Sequence, residues 1–436
     1  MQQSLYVGIF LVTFLGISAL SLRKGKTLKS STDFSLAGRS LSAFGVFWVI
    51  IGTLVGGAST IGTVQMAYSH GIIAWIFTLG SGLACLLLGL LFSRPLRQGE
   101  AVTVSEYLGR FFGEKFQLYC SLFTSIGMFV HVVAQFLAAA AILQAVLGLS
   151  LHASVTVSFL LIAGFVVAGG MAGAGVVGQI KFYFLYLIMA VSAILAVVKA
   201  GGIGGIINAL PRDAGLLNPF AGGVSKPLTD TLAMVVGVIS TQSYLQAIFS
   251  ARDIRAARNG ALLSAALIPP VGILGIIIGL YLRATAPEIG ANSALALPAF
   301  INQAFPPAVA AVLSAGLLLI VLGTGSGLVL GVTTNMYVDF VQKLRIAKGL
   351  GSGLAQIRWC GLLVLVLALG LVFTGLDSAI LRWSYLSMGL RGSAVFAGLC
   401  LAVFFSGRFR LGRLAPGLYS LPVIYVLVVA WLKAGT

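Results

Sequence analysis

The sequence predicts an all-α polytopic membrane protein with about twelve transmembrane helices, on three observations. Hydrophobic residues make up 59% of the chain and charged residues 8%, too few charges to clothe a water-soluble surface. Apolar stretches long enough to cross a ~30 Å hydrocarbon core recur from one end to the other. Two of these stretches, five spans apart, are interrupted by glycines and hydroxyls, which points to two halves of opposite orientation.

In order, the spans lie at about 4–22, 43–69, 72–93, 116–147, 153–169, 177–198, 230–250, 260–282, 306–336, 358–375, 386–406 and 416–432, with no room for a soluble domain between them. The first lacks a small-residue cleavage site and is followed by basic residues, the reverse of a signal peptide, so it is expected to be retained. The second follows Asp33-Phe34-Ser35-Leu36-Ala37-Gly38-Arg39-Ser40-Leu41. It carries Gly52, Gly56, Gly57 and Gly62 among Thr53, Ser59, Thr60 and Thr63. A membrane helix broken at mid-depth leaves backbone groups unpaired, and such backbone persists only where it lines a cavity or an ion site. The seventh span repeats the pattern with Gly237 and the polar run Ser240-Thr241-Gln242-Ser243-Tyr244. The fourth and ninth, each about thirty residues, occupy matching third places and read as long tilted helices. The expected organisation is an extra helix and loop over 1–30, a five-helix repeat over 31–200 and a loop over 201–229. A second five-helix repeat covers 230–410 and a last extra helix 411–436.

Basic residues orient the spans, because Lys and Arg near span ends stay on the cytoplasmic side. Alternate loops carry Arg23, Lys24, Lys26, Lys29 and Arg39; Arg94, Arg97, Arg110 and Lys115; Arg252, Arg255 and Arg258; Lys343, Arg345, Lys348 and Arg358; and Arg408, Arg410 and Arg413. These hold 19 of the 27 basic residues, so both termini are expected outside, in a cell membrane. The same asymmetry accounts for the net charge of +17, which is therefore no nucleic-acid footprint.

Other classes find little support. Cys85, Cys120, Cys360 and Cys400 are scattered inside spans without metal-type spacing, so neither a disulfide framework nor a zinc site is expected. There is no complete Walker-type phosphate loop (Gly-x4-Gly-Lys-Ser/Thr) and no hydrolytic triad order, so the chain reads as no enzyme and has no visible means of using ATP.

The segment from Asp33 to Leu41, together with Gly169-Gly170-Met171, Gln246-Ala247-Ile248-Phe249-Ser250-Ala251-Arg252 and Thr333-Thr334-Asn335-Met336-Tyr337-Val338-Asp339, resembles the sodium:solute symporter family. The likeness spans about residues 30 to 410. It implies the LeuT-type 5+5 inverted-repeat core with one extra helix before it, an outward N-terminus and cation-coupled uptake of a small solute. Alternating access would move a four-helix bundle against a scaffold, with sodium or a proton as coupling ion and no organic cofactor.

Registering the family's motifs on this chain implies an ion site. Aligning Tyr68-Ser69-His70-Gly71 places two carbonyl ligands at Gly52 and Val55; aligning Asp339 places the others at Ile320, Gly323 and Thr324. Glycine at 323 removes one hydroxyl oxygen that only water or Ser326 could restore. The packing alternative is that Gly323-Thr324-Gly325-Ser326-Gly327 is a small-residue stripe for a neighbouring helix. The family often has an acidic residue where this chain has Gly178, and Lys181 follows one turn later on nearly the same face. Two readings stand for Lys181. Its long stem can snorkel to the interface, or its amine can take the place of the ion and exchange protons, as in LeuT-like transporters without sodium dependence.

Substrate candidates are Ser59, Thr60, His131, Gln135, Ser240, Thr241, Gln242, Tyr244 and Tyr385. Of these, His131 and Gln135 share a helix face at i,i+4 spacing. Arg391 reads either as a snorkelling anchor near Asp377 or as a binding group for an anionic solute. The expected function is secondary active symport of a small polar or anionic organic solute. The alternatives are a sodium-independent carrier or facilitator with Lys181 replacing the ion, and a non-transporting membrane sensor.

Overall fold

A computed structural model describes residues 2–23, 36–211, 215–343, 353–373, 380–405, 422–424 and 426, all helical or irregular apart from one isolated bridge. The expected last span at 416–432, the residues Asp33 to Ser35 and Asp377 lie outside the described residues. We number the main helices in chain order. They are α1 Gln2–Arg23, α2 Ala43–Leu54, α3 Thr63–His70, α4 Trp75–Leu87, α5 Val104–Phe112, α6 Glu114–Leu147 and α7 Leu151–Lys199. The second half contains α8 Ser225–Ile239, α9 Gln242–Phe249, α10 Ile254–Leu267, α11 Pro269–Thr285, α12 Pro307–Asn335, α13 Gly353–Phe373 and α14 Ile380–Phe404.

Among the described residues, seven helical segments are long and apolar enough to cross a membrane, or eight when α8 and α9 count as one bent span. Three shorter apolar helices accompany them at Ser4–Gly16, Ala43–Leu54 and Leu151–Val166. One of the seven, Ala58–Gln98, reverses at Gly71, whose φ of +74° belongs to no right-handed helix, so it holds the two spans expected there. The expected spans at 153–169 and 177–198 correspond to the apolar segments Leu151–Val166 and Gly178–Lys199, both within the helical run α7.

Both expected breaks are present. The first helix ends at Leu54, Val55 adopts extended backbone (φ −94°, ψ 102°), and helical structure resumes as a π-turn over Ala58–Gly62 leading into α3. The second break separates α8 from α9 at Ser240 and Thr241, with a bend of 42°. The two discontinuous spans meet at one end, where Leu41 N donates to Ser250 O (3.1 Å) and Arg252 N to Leu41 O (2.9 Å). Arg97 Nε seals this junction by donating to Ala251 O at 2.6 Å.

Long helices α6 and α12 pack against each other through the middle of the bundle and are buried along most of their length. Each is apolar all round, as a helix with no lipid- or water-facing stripe must be. Around them pack α7, which contacts both α2 and α12, and α14, which lies on α6 and α8. The discontinuous spans are thereby held at the centre, where their unpaired backbone faces protein instead of lipid.

Candidate functional site

The first break would leave several polar backbone groups unpaired, and nearby side chains satisfy most of them. Thr60 Oγ1 donates to Gly56 O at 2.9 Å, Ser59 Oγ reaches Leu54 O at 3.4 Å, and Gln135 Oε1 on α6 accepts from Gly57 N at 3.0 Å. The carbonyls of Gly52 and Val55 turn the other way, towards α12. There Thr324 Oγ1 lies 3.2 Å from Gly52 O and 3.1 Å from Val55 O, which brings together three of the five ion ligands the family likeness implied. Gly323 and Ile320 share this buried stretch of α12, but only Thr324 offers a side-chain oxygen. Ser326 does not restore the missing one, because its hydroxyl donates to Gly323 O at 3.0 Å.

A lysine fills the gap between these oxygens. Lys181, 1% exposed, extends from α7 so that Nζ donates to Gly52 O at 2.6 Å and to Thr324 Oγ1. The snorkelling reading of Lys181 is therefore overturned. Thr324 accepts from the ammonium and passes its single hydrogen to Val55 O or Gly52 O, so the cluster is a chain of charge-assisted hydrogen bonds. Gly178 makes the reach possible: a Cβ there would collide with the carbonyl of Trp48 and lie 3.3 Å from the Gly52 Cα. Without a side chain at 178, α7 approaches α2 closely enough for the Lys181 amine to reach Gly52 O and Thr324. The small-residue stripe on α12 also packs as the alternative reading had it, since Gly327 faces Thr53 and Gly325 faces Ile162.

A second polar cluster surrounds the other break. Arg391, near the middle of α14, donates through Nη1 to Thr241 Oγ1 (2.9 Å), through Nη2 to Ser387 Oγ (2.7 Å) and through Nε to Ser387 O (3.1 Å). Nη2 also lies 3.2 Å from His131 Nδ1, and His131 Nε2 lies 3.5 Å from Ser384 Oγ. Because the guanidinium can only donate, Nδ1 must accept, and the imidazole proton sits on Nε2. Arg391 is 0% exposed, so the expected snorkelling anchor is wrong. The sequence signal was available: Ser384 and Ser387 stand seven and four residues before Arg391 on the same helical face.

The substrate candidates therefore divide. His131, Thr241 and Gln135 form one seam along α6 that links the two breaks, with Gln135 Nε2 left without a partner. Ser240 Oγ is buried without a hydrogen bond, as is the hydroxyl of Tyr385, whose ring packs edge-on against Phe77 at 5.8 Å, and buried Tyr244 lies against the Arg391 guanidinium. Ser59 and Thr60 are occupied by the carbonyls of the first break. Gln242 is corrected: its amide accepts from Val104 N at 2.8 Å and donates to Val102 O at 3.1 Å, so it tethers the loop before α5. Below it, Asp339 accepts from Gln117 Nε2 at 2.7 Å and Thr103 Oγ1 at 3.2 Å, tying α12 to α6 and to the same loop.

The model of the sodium:solute symporter family matches residues 34–418. The chain belongs to the sodium:solute symporter family. An uncharacterised symporter of Bacillus subtilis, YwcA, is 25% identical over 95% of this chain and 85% of its own length. A high-affinity choline transporter of Caenorhabditis elegans is 23% identical over 57% of this chain and 44% of its own. A monocarboxylic acid transporter of Corynebacterium glutamicum is 28% identical over 47% and 38%. In fold, the chain matches a Na+-coupled sialic acid symporter in a substrate-bound outward-open state, with TM-score 0.74, 16% identity and coverage of 99% of this chain and 97% of that one. A manganese transporter of Eremococcus coleocola matches more distantly, at TM-score 0.54 and 13% identity over 92% and 86%. The LeuT-type helical fold, which the family likeness implied, is the fold of this chain.

Proposed function

We propose that this family member carries a small polar or anionic solute across a cell membrane by alternating access, with the Lys181 ammonium standing where a coupling cation would otherwise lie. The observation that supports this most is the Lys181 Nζ contact with Gly52 O at 2.6 Å, shared with Thr324 Oγ1. An ammonium brings one positive charge and three N–H donors to oxygens whose lone pairs would otherwise need a metal ion. Two cations do not share one such set of oxygens, because their repulsion in a dry interior is not screened. Transport then proceeds without sodium at this position, and the ion available for coupling is the proton on Lys181. Its loss would remove the charge that joins α2 to α12 through Gly52 and Thr324, a local change of the kind that biases a two-state element. The distribution of basic residues among the loops supports an orientation with both termini on the outer side.

Membership of the symporter family favours a second reading, sodium symport with Lys181 displaced when sodium binds. Uptake of a labelled solute into proteoliposomes separates the two. We expect accumulation driven by a proton gradient without sodium. Accumulation that demands a sodium gradient would overturn the lysine reading and leave sodium symport; uptake unchanged after both gradients are collapsed would refute coupling altogether.

A further inference from the structure

We propose that Arg391 anchors a carboxylate of the transported solute, in a subsite formed with the N-terminus of α9 and the hydroxyls of Tyr244 and Ser240. This inference rests on the transport reading above and names the substrate class for it.

Arg391 carries a charge that no carboxylate among the described residues balances. Arg391 is the largest fully buried side chain among the described residues, and guanidinium does not lose its proton in proteins. None of the ion pairs among the described residues involves it, and its partners are hydroxyls, a carbonyl, a thioether and a neutral imidazole. An uncompensated charge buried in a bundle is costly, and in membrane helices such groups mark substrate or ion pathways.

Its placement adds to that cost. Through Thr241 the guanidinium sits at the N-terminus of α9, where the helix dipole is positive and no side chain caps the first turn. The same break also holds the C-terminal carbonyls of α8, and Thr241 Oγ1 passes its hydrogen to Gly237 O at 2.6 Å, so the helix ends leave the Arg391 charge without a full counter-charge. A buried guanidinium beside the free N–H groups of a helix start is an arrangement that holds an anion. The same break carries two further buried hydroxyls, Ser240 Oγ, which has no partner, and Tyr244 Oη, which lies against the Arg391 guanidinium and has its own hydrogen free to donate. A solute carboxylate would supply the missing negative charge and accept from these groups together.

The subsite also lies where a solute must pass. His131 touches Arg391, and one helical turn along α6 Gln135 holds Gly57 at the first break, so the anion would sit between the two discontinuous spans. Lys181 and Arg391 then serve different partners: the lysine neutralises protein oxygens, whereas the arginine is left for the solute. A quaternary ammonium solute would meet only repulsion.

Thermal stabilisation of the purified full chain tests this with monocarboxylates from propionate to benzoate against their primary amides, at fixed ionic strength. We expect the carboxylates to bind at least about tenfold more tightly than the amides, a difference of ~1.4 kcal/mol. Arg391→Gln should abolish the preference and Arg391→Lys should retain part of it. Equal stabilisation by amides and carboxylates in the unaltered chain, or an undiminished preference in Arg391→Gln, overturns the proposal. Should Arg391→Gln fail to fold, the carboxylate-to-amide ratio of the unaltered chain still decides. Counterflow in liposomes keeps the two readings apart. Carboxylate binding without exchange would sink transport and leave the subsite, while exchange of a neutral or cationic solute with no carboxylate binding would sink the subsite and leave transport.

Discussion

Gly178 and Lys181 stand three residues apart on α7, and neither explains the site alone. The glycine removes the side chain that would strike the Trp48 carbonyl; the lysine uses the resulting approach to reach Gly52 O and Thr324. Gly178→Ala should therefore destabilise the protein by about 1–3 kcal/mol, since the atom it meets is backbone and cannot rotate away. Thermal unfolding in detergent checks this, and an unchanged midpoint would mean that α7 does not need the contact. At this scale the sequence was ambiguous for a physical reason. A lysine roughly two turns inside a span can snorkel or turn inward with the same local pattern, and only the distance between α7 and α2 decides. Arg391 left two readings open on the same ground: its position relative to Asp377 suited an anchor, whereas its serine neighbours on one face pointed inward.

At the level of elements, each broken helix is stabilised by a residue of another helix. Gln135 on α6 supplies the acceptor that Gly57 N lacks, and Arg391 on α14 supplies the donor that meets Thr241. Removing such an acceptor leaves a buried N–H unsatisfied, so Gln135→Leu should cost about 1–3 kcal/mol. Gln135→Glu keeps the acceptor and serves as the control for shape. If Leu proves as stable as Gln, the break does not depend on α6. The breaks themselves were legible from glycine and hydroxyl spacing, because only irregular backbone needs both. Their partners were not, since Gln135 and His131 at i,i+4 spacing specify a shared face without naming what it faces. Gln242 was misplaced for a related reason: it belongs to the polar run of the seventh span, yet it lies past the break and its amide turns to residues 102–104.

For the molecule as a whole, composition and recurring apolar stretches were sufficient to recognise a polytopic membrane protein, the two discontinuous helices five spans apart pointed to two halves of opposite orientation, and the short motifs that resemble the symporter family supplied the transporter and its LeuT-type fold. The charge arrangement at the centre comes from two residues. Lys181 and Arg391 are both buried, neither is paired with a carboxylate among the described residues, and they flank the two breaks. One of them satisfies oxygens that the fold turns towards a cation; the other is open to an anion.

The central claim, that the lysine occupies the cation's place, is tested most directly by the thermal stability of the purified chain in sodium chloride and in choline chloride at equal ionic strength. Stability should be the same in both salts for the unaltered protein. Lys181→Ala, which exposes Gly52 O, Val55 O and Thr324 Oγ1, should be less stable than the unaltered chain and should become sensitive to sodium. Sodium-specific stabilisation of the unaltered protein that disappears in Thr324→Ala would contradict the account.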